Sequence, residues 1–497
     1  MKYNRLLLIL LFIFIAGCRK NEKISPGNQN PPPNSDSLKT LPVASIFQSN
    51  MVIQRDKPFL IWGKAIAKTN VIVNASWNNS NFNAISDSTG NWQVVIPASG
   101  ANAAPQTITV KADGYNTRTL TNVLIGDVWI CSGQSNMVFP VDSIAPFGGV
   151  TDFKAEVAGA NYPEIRTISI NQDDELLPVF DFVSPSKWNV CSPATIGNVS
   201  AVAYFFARKL NISLNIPIGI IVSAVNGSYC QDWTNKEALQ NDPVLSTNYL
   251  AGSSYLFNGM ISPLTKLSIK GFTWYQGENN QHINPPANYT ILNSALIKGW
   301  RTVFNQPELP FYYVQLTPFA EDYNSTTPPG GNLVDDYLAL FREAQANVRA
   351  TPSTGMVITM DVGEAANHHP HNKKPVGERL ALLALNNTYG QNIQSVGPQF
   401  ESFTANGNIV TVNFAPGTAD GLNTIGNSPL KQYFFIAGSD HVFRQGSAVI
   451  SGHTILVTAA KNTPMPVQAI RYAFTNAPVT NLQNSAGLPA EPFRSDK

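Results

Sequence analysis

The sequence predicts an α/β protein, a doubly wound parallel sheet flanked by N- and C-terminal β segments. Three observations predict it. From Gly126 onward, short and nearly continuous apolar runs alternate with helix-like stretches, as strands covered on both faces require. Before that, from Leu41 to about Leu124, strand-like runs alternate with turn clusters and no helical run competes. After Gly397 the text returns to β.

Taken in order, the chain opens with Lys2 and Arg5 before the apolar run Leu6 to Ala16. That run is too short to span a bilayer but suits the core of a signal peptide. Ile15-Ala16-Gly17-Cys18 then reads as a bacterial lipobox, with Cys18 as the lipidation site. The expected plan is a lipoprotein signal peptide over 1–18 and a Pro-rich tether over 19–40. A β-sandwich-like domain over 41–124 and an α/β catalytic domain over 125–396 follow, then a β-rich segment over 397–497. The expected location is the bacterial cell envelope, periplasm or outer membrane and cell surface, held by the N-terminal lipid alone.

Within 41–124, Val71 to Trp77 and Trp92 to Ile96 are strand-like, separated by the turn clusters 78–81 and 87–91. In the α/β region the strand candidates are Ile218 to Ser223, Phe272 to Tyr275, Phe311 to Leu316 and Met356 to Met360. Helices are expected over Ser200 to Leu210, Tyr289 to Phe304, Tyr337 to Ala350 and Pro375 to Tyr389. Ile409 to Phe414, Tyr433 to Ala437 and Thr454 to Thr458 are the later strands.

Composition narrows the partners. Charged residues are 13% of the 497, and Lys+Arg 33 against Asp+Glu 32 leaves +1 with no basic stripe, so no nucleic-acid partner is expected. Cys131, Cys191 and Cys230 remain after Cys18, an odd number without Cys-x-x-Cys spacing; a Cys191–Cys230 bridge stays open. No sequence feature bears on oligomeric state.

The polar motifs of the α/β region fall at the ends of its strands, where parallel sheets place their chemistry. Gly133-Gln134-Ser135-Asn136 follows the apolar run 128–131, and Asn226-Gly227-Ser228 follows the strand ending near Ser223. Gln276-Gly277-Glu278-Asn279-Asn280 follows Tyr275, and Asp361 to His371 follows Met360. Ester hydrolysis by serine needs a nucleophile, a histidine base and donors for the oxyanion. These loops offer Ser135, the N–H of Gly227, a side-chain amide from Gln276 or Asn279, and a histidine. His368, His369 and His371 also invite a metal reading. Neighbours on an extended loop point to different faces and no second ligand group accompanies them, so neither metal nor cofactor is called for. Glu278 reads as a structural carboxylate, His282 as a pocket-rim residue, and Trp274 and Tyr275 as core.

These motifs resemble the sialate O-acetylesterase family of carbohydrate esterases, within the SGNH hydrolase superfamily. The resemblance runs from about Leu41 to Arg494. It is carried by Asn50 to Arg55, Ile61-Trp62-Gly63, Gly126 to Met137, Ile261 to Leu264, Trp274 to Glu278, Arg342 to Gln345, His369 to Lys373, Arg471 to Phe474 and Gly487 to Arg494. It implies an SGNH-hydrolase-like sheet with Ser135 as nucleophile and His369 as base. The oxyanion hole would be the N–H groups of Ser135 and Gly227 with the amide of Gln276 or Asn279. It further implies metal-independent removal of acetyl groups from sugar hydroxyls, sialic acid's above all, so that an acetylated sugar or glycan is the substrate.

Two positions depart from the family pattern. Asn367 stands where the family has Asp two residues before the histidine, so the group that orients His369 is Asn367, Asp361, Glu364 or a backbone carbonyl. Asn226 stands where the first of two glycines is usual, which matters if that position needs positive φ. Two other readings remain: an esterase for acetylated xylan or another glycan, and a glycan-binding lipoprotein with impaired chemistry.

Overall fold

The computed structural model describes residues 39–183, 186–283, 285–320 and 337–496. The expected signal peptide, Cys18 and residues 19–38 of the expected tether lie outside them.

Between Val52 and Ala112 the chain makes β1 (Val52–Gln54), β2 (Phe59–Lys64), β3 (Asn70–Ala75), β4 (Asn81–Ile85), β5 (Asn91–Ile96) and β6 (Asn102–Ala112). In β3, Val71, Val73 and Ala75 are buried while their neighbours are not, the period of two that gives a strand one inward face. Trp92, Val94 and Ile96 repeat the pattern in β5, which pairs antiparallel with β2. β3 lies between β4 and β6, antiparallel to both.

β7 (Arg118–Gly133) then runs through two environments. Its first part pairs antiparallel with β6 and, over Leu124–Gly126, parallel with β1. Its second part, from Asp127 to Gly133, forms the middle of the central sheet. Position 125, where an α/β unit was expected to begin, therefore lies inside a strand. A buried carboxylate mid-strand is tolerated because Asp127 is fully partnered. Gln54 Nε2 donates to it at 2.7 Å, Arg55 at 3.0 and 3.1 Å, and the Tyr389 hydroxyl at 2.8 Å. Gln54 and Arg55 of the Asn50 to Arg55 motif thus anchor the point where β7 enters the central sheet.

Beyond β7 the chain makes the short helix α1 (Ser135–Val138), β8 (Tyr162–Ser169), β9 (Asn189–Cys191), α2 (Ala201–Leu214) and β10 (Ile218–Ala224). β11 (Gly271–Tyr275), α3 (Asn288–Val303), β12 (Phe311–Val314), α4 (Tyr337–Asn347), β13 (Thr354–Val357) and α5 (Lys374–Asn387) follow. The sheet order is β9-β8-β10-β7-β11-β12-β13, parallel throughout except for the edge strand β9. Strands that follow β7 go first to one side and then to the other, so the chain reverses direction across the sheet at β7. That is the switch point at whose carboxyl ends open α/β sheets form a crevice. α2 packs on α5, and α3 on α4.

Strand β12 stops at Val314, short of the expected Leu316, because the Leu316 N–H leaves the ladder to donate to Gln345 Oε1 at 2.9 Å. β13 spans Thr354–Val357, whereas Met356 to Met360 was expected. The chain closes with β14 (Phe400–Asn406), β15 (Ile409–Phe414), β16 (Phe434–Ala437), β17 (Phe443–Gln445), β18 (Ser447–Ser451), β19 (Thr454–Thr458), β20 (Ala469–Tyr472) and β21 (Phe493–Arg494). They form two antiparallel four-stranded sheets, β14-β15-β19-β18 and β17-β16-β20-β21. Cys131, Cys191 and Cys230 are all free and buried, so the Cys191–Cys230 bridge left open by the sequence is not made. Cys191 lies on the edge strand β9 with its thiol toward the Ala160 carbonyl at 3.8 Å, whereas Cys230 follows β10.

Candidate active site

Gly133 ends β7 with φ +138°, and a Cβ there would lie 2.1 Å from the Tyr275 carbonyl oxygen at the end of β11. Only glycine lets the two strand ends close this tightly. The Gln134 N–H donates to that same carbonyl at 3.0 Å, and Gln134 Oε1 accepts from Gln276 Nε2 at 3.1 Å and the Gly277 N–H at 3.2 Å. Ser135 is therefore held at the switch point, 6% exposed, by contacts of its neighbours rather than of its own hydroxyl.

His369 reaches it from the loop after β13, with Nε2 at 2.7 Å from Ser135 Oγ. The Phe147 ring meets the imidazole edge-on at a centroid distance of 5.0 Å. Burial first, then the charges of His368 and Lys373, push the imidazole pKa down to about 4. At neutral pH the ring is thus uncharged, and in its Nδ1–H tautomer Nε2 accepts from the serine hydroxyl, the state a general base needs. The two residues open onto a cleft of about 280 Å³, lined also by Phe147, Gly227, Asn279 and Phe319.

The four expected loops meet around this cleft, but not every expected residue faces it. Gly227 does, with φ +69°, and Asn279 Nδ2 donates to the Gly227 carbonyl. Positive φ falls on Gly227 and not on Asn226, so the asparagine carries no backbone strain. Gln276, the other expected amide donor, is fully buried, and its Nε2 is committed to Gln134, Ser228 and Asn280. Of the two expected donors, Asn279 lines the cleft and Gln276 lies behind it.

Residues 125–386 match the family model for carbohydrate esterases described as sialic acid-specific acetylesterases. The chain belongs to that family. The sialate O-acetylesterases of Rattus norvegicus and Homo sapiens are 27% and 26% identical to it, each over 90% of this chain and over 93% and 91% of their own lengths. The crystal structure of a carbohydrate acetylesterase from Xanthomonas citri superposes with a TM-score of 0.81 at 31% identity, covering 92% of this chain and 99% of that one. Membership supports acetylesterase activity on a carbohydrate.

For this family member the surroundings of the histidine correct the expected orienting groups. Asn367 does not bond the imidazole. Its Oδ1 accepts the backbone N–H of His369 at 2.9 Å, and its Nδ2 donates to Glu364 Oε2 at 2.8 Å and the His369 carbonyl at 3.0 Å. It shapes the loop, not the ring. Asp361 is held by Arg379 at 2.6 and 2.7 Å. Glu364 binds the N–H and Nδ1 of His371 at 2.7 and 2.9 Å. No side chain among the described residues bonds Nδ1 of His369. The polar residues that sequence reasoning did not count are Asn136 and Lys373, which lie just behind the serine and are joined by a hydrogen bond. Both stand inside the motifs that carried the family resemblance, and a lysine fully buried from solvent is the signal that marks them.

Proposed function

We propose that this protein is a carbohydrate O-acetylesterase that works through an acetyl-enzyme on Ser135. The observation that carries it is the 2.7 Å contact between Ser135 Oγ and a neutral His369 Nε2 at the switch point of the sheet. Ser135 attacks the acetyl carbonyl carbon as its proton passes to His369. The oxyanion accepts hydrogen bonds from the N–H groups of Ser135 and Gly227 and from the Asn279 amide. His369 gives the proton to the departing sugar oxygen, then takes one from the water that attacks the acetyl-serine and passes it to Ser135 Oγ as the C–Oγ bond breaks and acetate leaves. Phe147 and Phe319 give the cleft apolar walls for an acetyl group and a sugar face. O-acetylated sialic acid is the substrate to try first, because the similar rat and human proteins are sialate O-acetylesterases.

In this reading the sheet is an SGNH-hydrolase-like doubly wound core, with 41–124 and 397–497 as flanking β segments. Cys18 carries a lipid that holds the enzyme in the cell envelope, a point checked by membrane fractionation of the parent and of Cys18→Ala. The function is tested by acetate release from 4-nitrophenyl acetate, O-acetylated sialic acid and acetylated xylan. Turnover lost in Ser135→Ala at unchanged folding supports the reading. Turnover retained in Ser135→Ala overturns it, and no turnover by the parent on any of the three favours a glycan-binding role.

A further inference from the structure

We infer that Asn136 is a positioning residue whose side-chain amide, together with Glu278 and Lys373, sets the relative placement of nucleophile, base and oxyanion donor. The inference rests on the Ser135–His369 reading above. Asn136 follows Ser135 and is 1% exposed. Its Nδ2 donates to Glu278 Oε1 and, at 2.9 Å, to the carbonyl of His368; its Oδ1 accepts from Lys373 Nζ. Both donors and the acceptor of one amide are in use. Each partner is next to something the reaction needs. Glu278 precedes Asn279, His368 precedes His369, and Lys373 closes the histidine loop where its N–H donates to the His371 carbonyl at 2.9 Å. One side chain thus spans three of the four loops.

The chemistry of this cluster is not that of an ordinary core. Lys373 is fully buried, and its ammonium lies over the rings of Phe139 and Tyr275, at 4.7 and 5.6 Å from their centroids. Glu278 keeps one buried oxygen, Oε2, without a hydrogen bond. Apolar residues of similar size would hold these loops together more stably than a charged pair linked only through an amide. A buried and incompletely satisfied charged cluster beside a nucleophile is what a functional constraint leaves behind. The charged groups facing Lys373 are Glu278 and Glu364, and burial brings its ammonium pKa down to about 7. Burial likewise pushes the Glu278 carboxyl upward. The cation in turn disfavours protonation of His369, so the cluster also keeps the base neutral.

The test is steady-state kinetics of the full chain on 4-nitrophenyl acetate, which takes sugar binding out of the comparison. Asn136→Ala should lower kcat on the order of 100-fold, because a small misplacement of reacting groups costs that much, and leave KM within about threefold. Glu278→Ala should lose roughly 10-fold in kcat, whereas Glu278→Gln, which keeps an acceptor for Asn136, should stay within about threefold of the parent. A folded Asn136→Ala with kcat within about threefold of the parent overturns the inference, as does Glu278→Gln falling as far as Glu278→Ala. Should Asn136→Ala not fold, the Glu278 pair decides. Ser135→Ala run alongside separates the two levels. Turnover retained there sinks the serine mechanism itself, while a dead Ser135→Ala beside an active Asn136→Ala sinks the positioning role alone.

Discussion

The two ends of the central part of β7 bury charge in opposite ways. At its start, Asp127 receives hydrogen bonds from Gln54, Arg55 and Tyr389, the arginine in a two-bond fork. Just past its other end, Lys373 and Glu278 are joined through the amide of Asn136, and His369 has no side-chain partner on Nδ1 among the described residues. The first end is satisfied and fixes register. The second is under-satisfied and holds reactive groups in reach of a cleft. On the proposed function, the difference teaches that one strand can divide its work along its length, with stability at the amino end and chemistry at the carboxyl end.

The comparison breaks most visibly at the carboxyl end. Ser135→Ala should reduce acetyl-ester turnover by on the order of 1,000-fold or more, with an unchanged thermal midpoint, read by acetate release and circular dichroism. The converse change is at the amino end. Asp127→Ala leaves Gln54, Arg55 and Tyr389 facing an empty acceptor position and should lower stability by about 3 kcal/mol. A urea titration checks this, and kcat should stay within about twofold of the parent if the division of work holds. An equal loss of kcat would show that the two ends are coupled.

Asn367→Asp sharpens the picture of the carboxyl end. The new carboxylate would lie where Asn367 Nδ2 now donates to Glu364 Oε2 at 2.8 Å, so two like charges replace a hydrogen bond. A modest fall in kcat/KM, about 10-fold, is expected. The pH profile gives the sign. Because His369 must be neutral to act and its pKa is down at about 4, the parent keeps its activity above that value and loses it as pH falls through it. A negative charge beside the imidazole favours the protonated form, so the acid limb of Asn367→Asp should move to higher pH. Higher activity together with that upward move would mean that position 367 orients the ring after all. The smallest effect is expected of thiol reagents. Cys131 and Cys191 are buried, with burial raising their pKa to about 12 and about 11, so native protein should resist alkylation and keep full activity under reductant.

Much of this is legible in the amino-acid sequence. Short apolar runs placed β10, β11 and β12 because buried parallel strands need little else, and the polar residues that interrupt them marked the loops. Those loops offered Ser135, Gly227, Gln276 or Asn279 and a histidine, and the family resemblance singled out His369; Ser135, Gly227, Asn279 and His369 share one cleft. Gly126-Asp127 hid the continuity of β7, since a carboxylate in a central strand reads as a break unless its partners, one of them Tyr389, are known. The role of Asn367 was not readable either. Two residues of spacing on an irregular loop do not say whether an amide turns toward a ring or toward the backbone. Lys373 stood inside a quoted motif, but nothing in the sequence says that a lysine is buried.

The continuity of β7 has an evolutionary consequence. A crossover between genes near codon 125 would cut a strand whose residues on either side are hydrogen-bonded to different neighbours, Leu124 to Gly126 with β1 and Asp127 to Gly133 with β10. Exchanging the leading β strands for those of another protein would therefore have to re-create both sets of pairings at once.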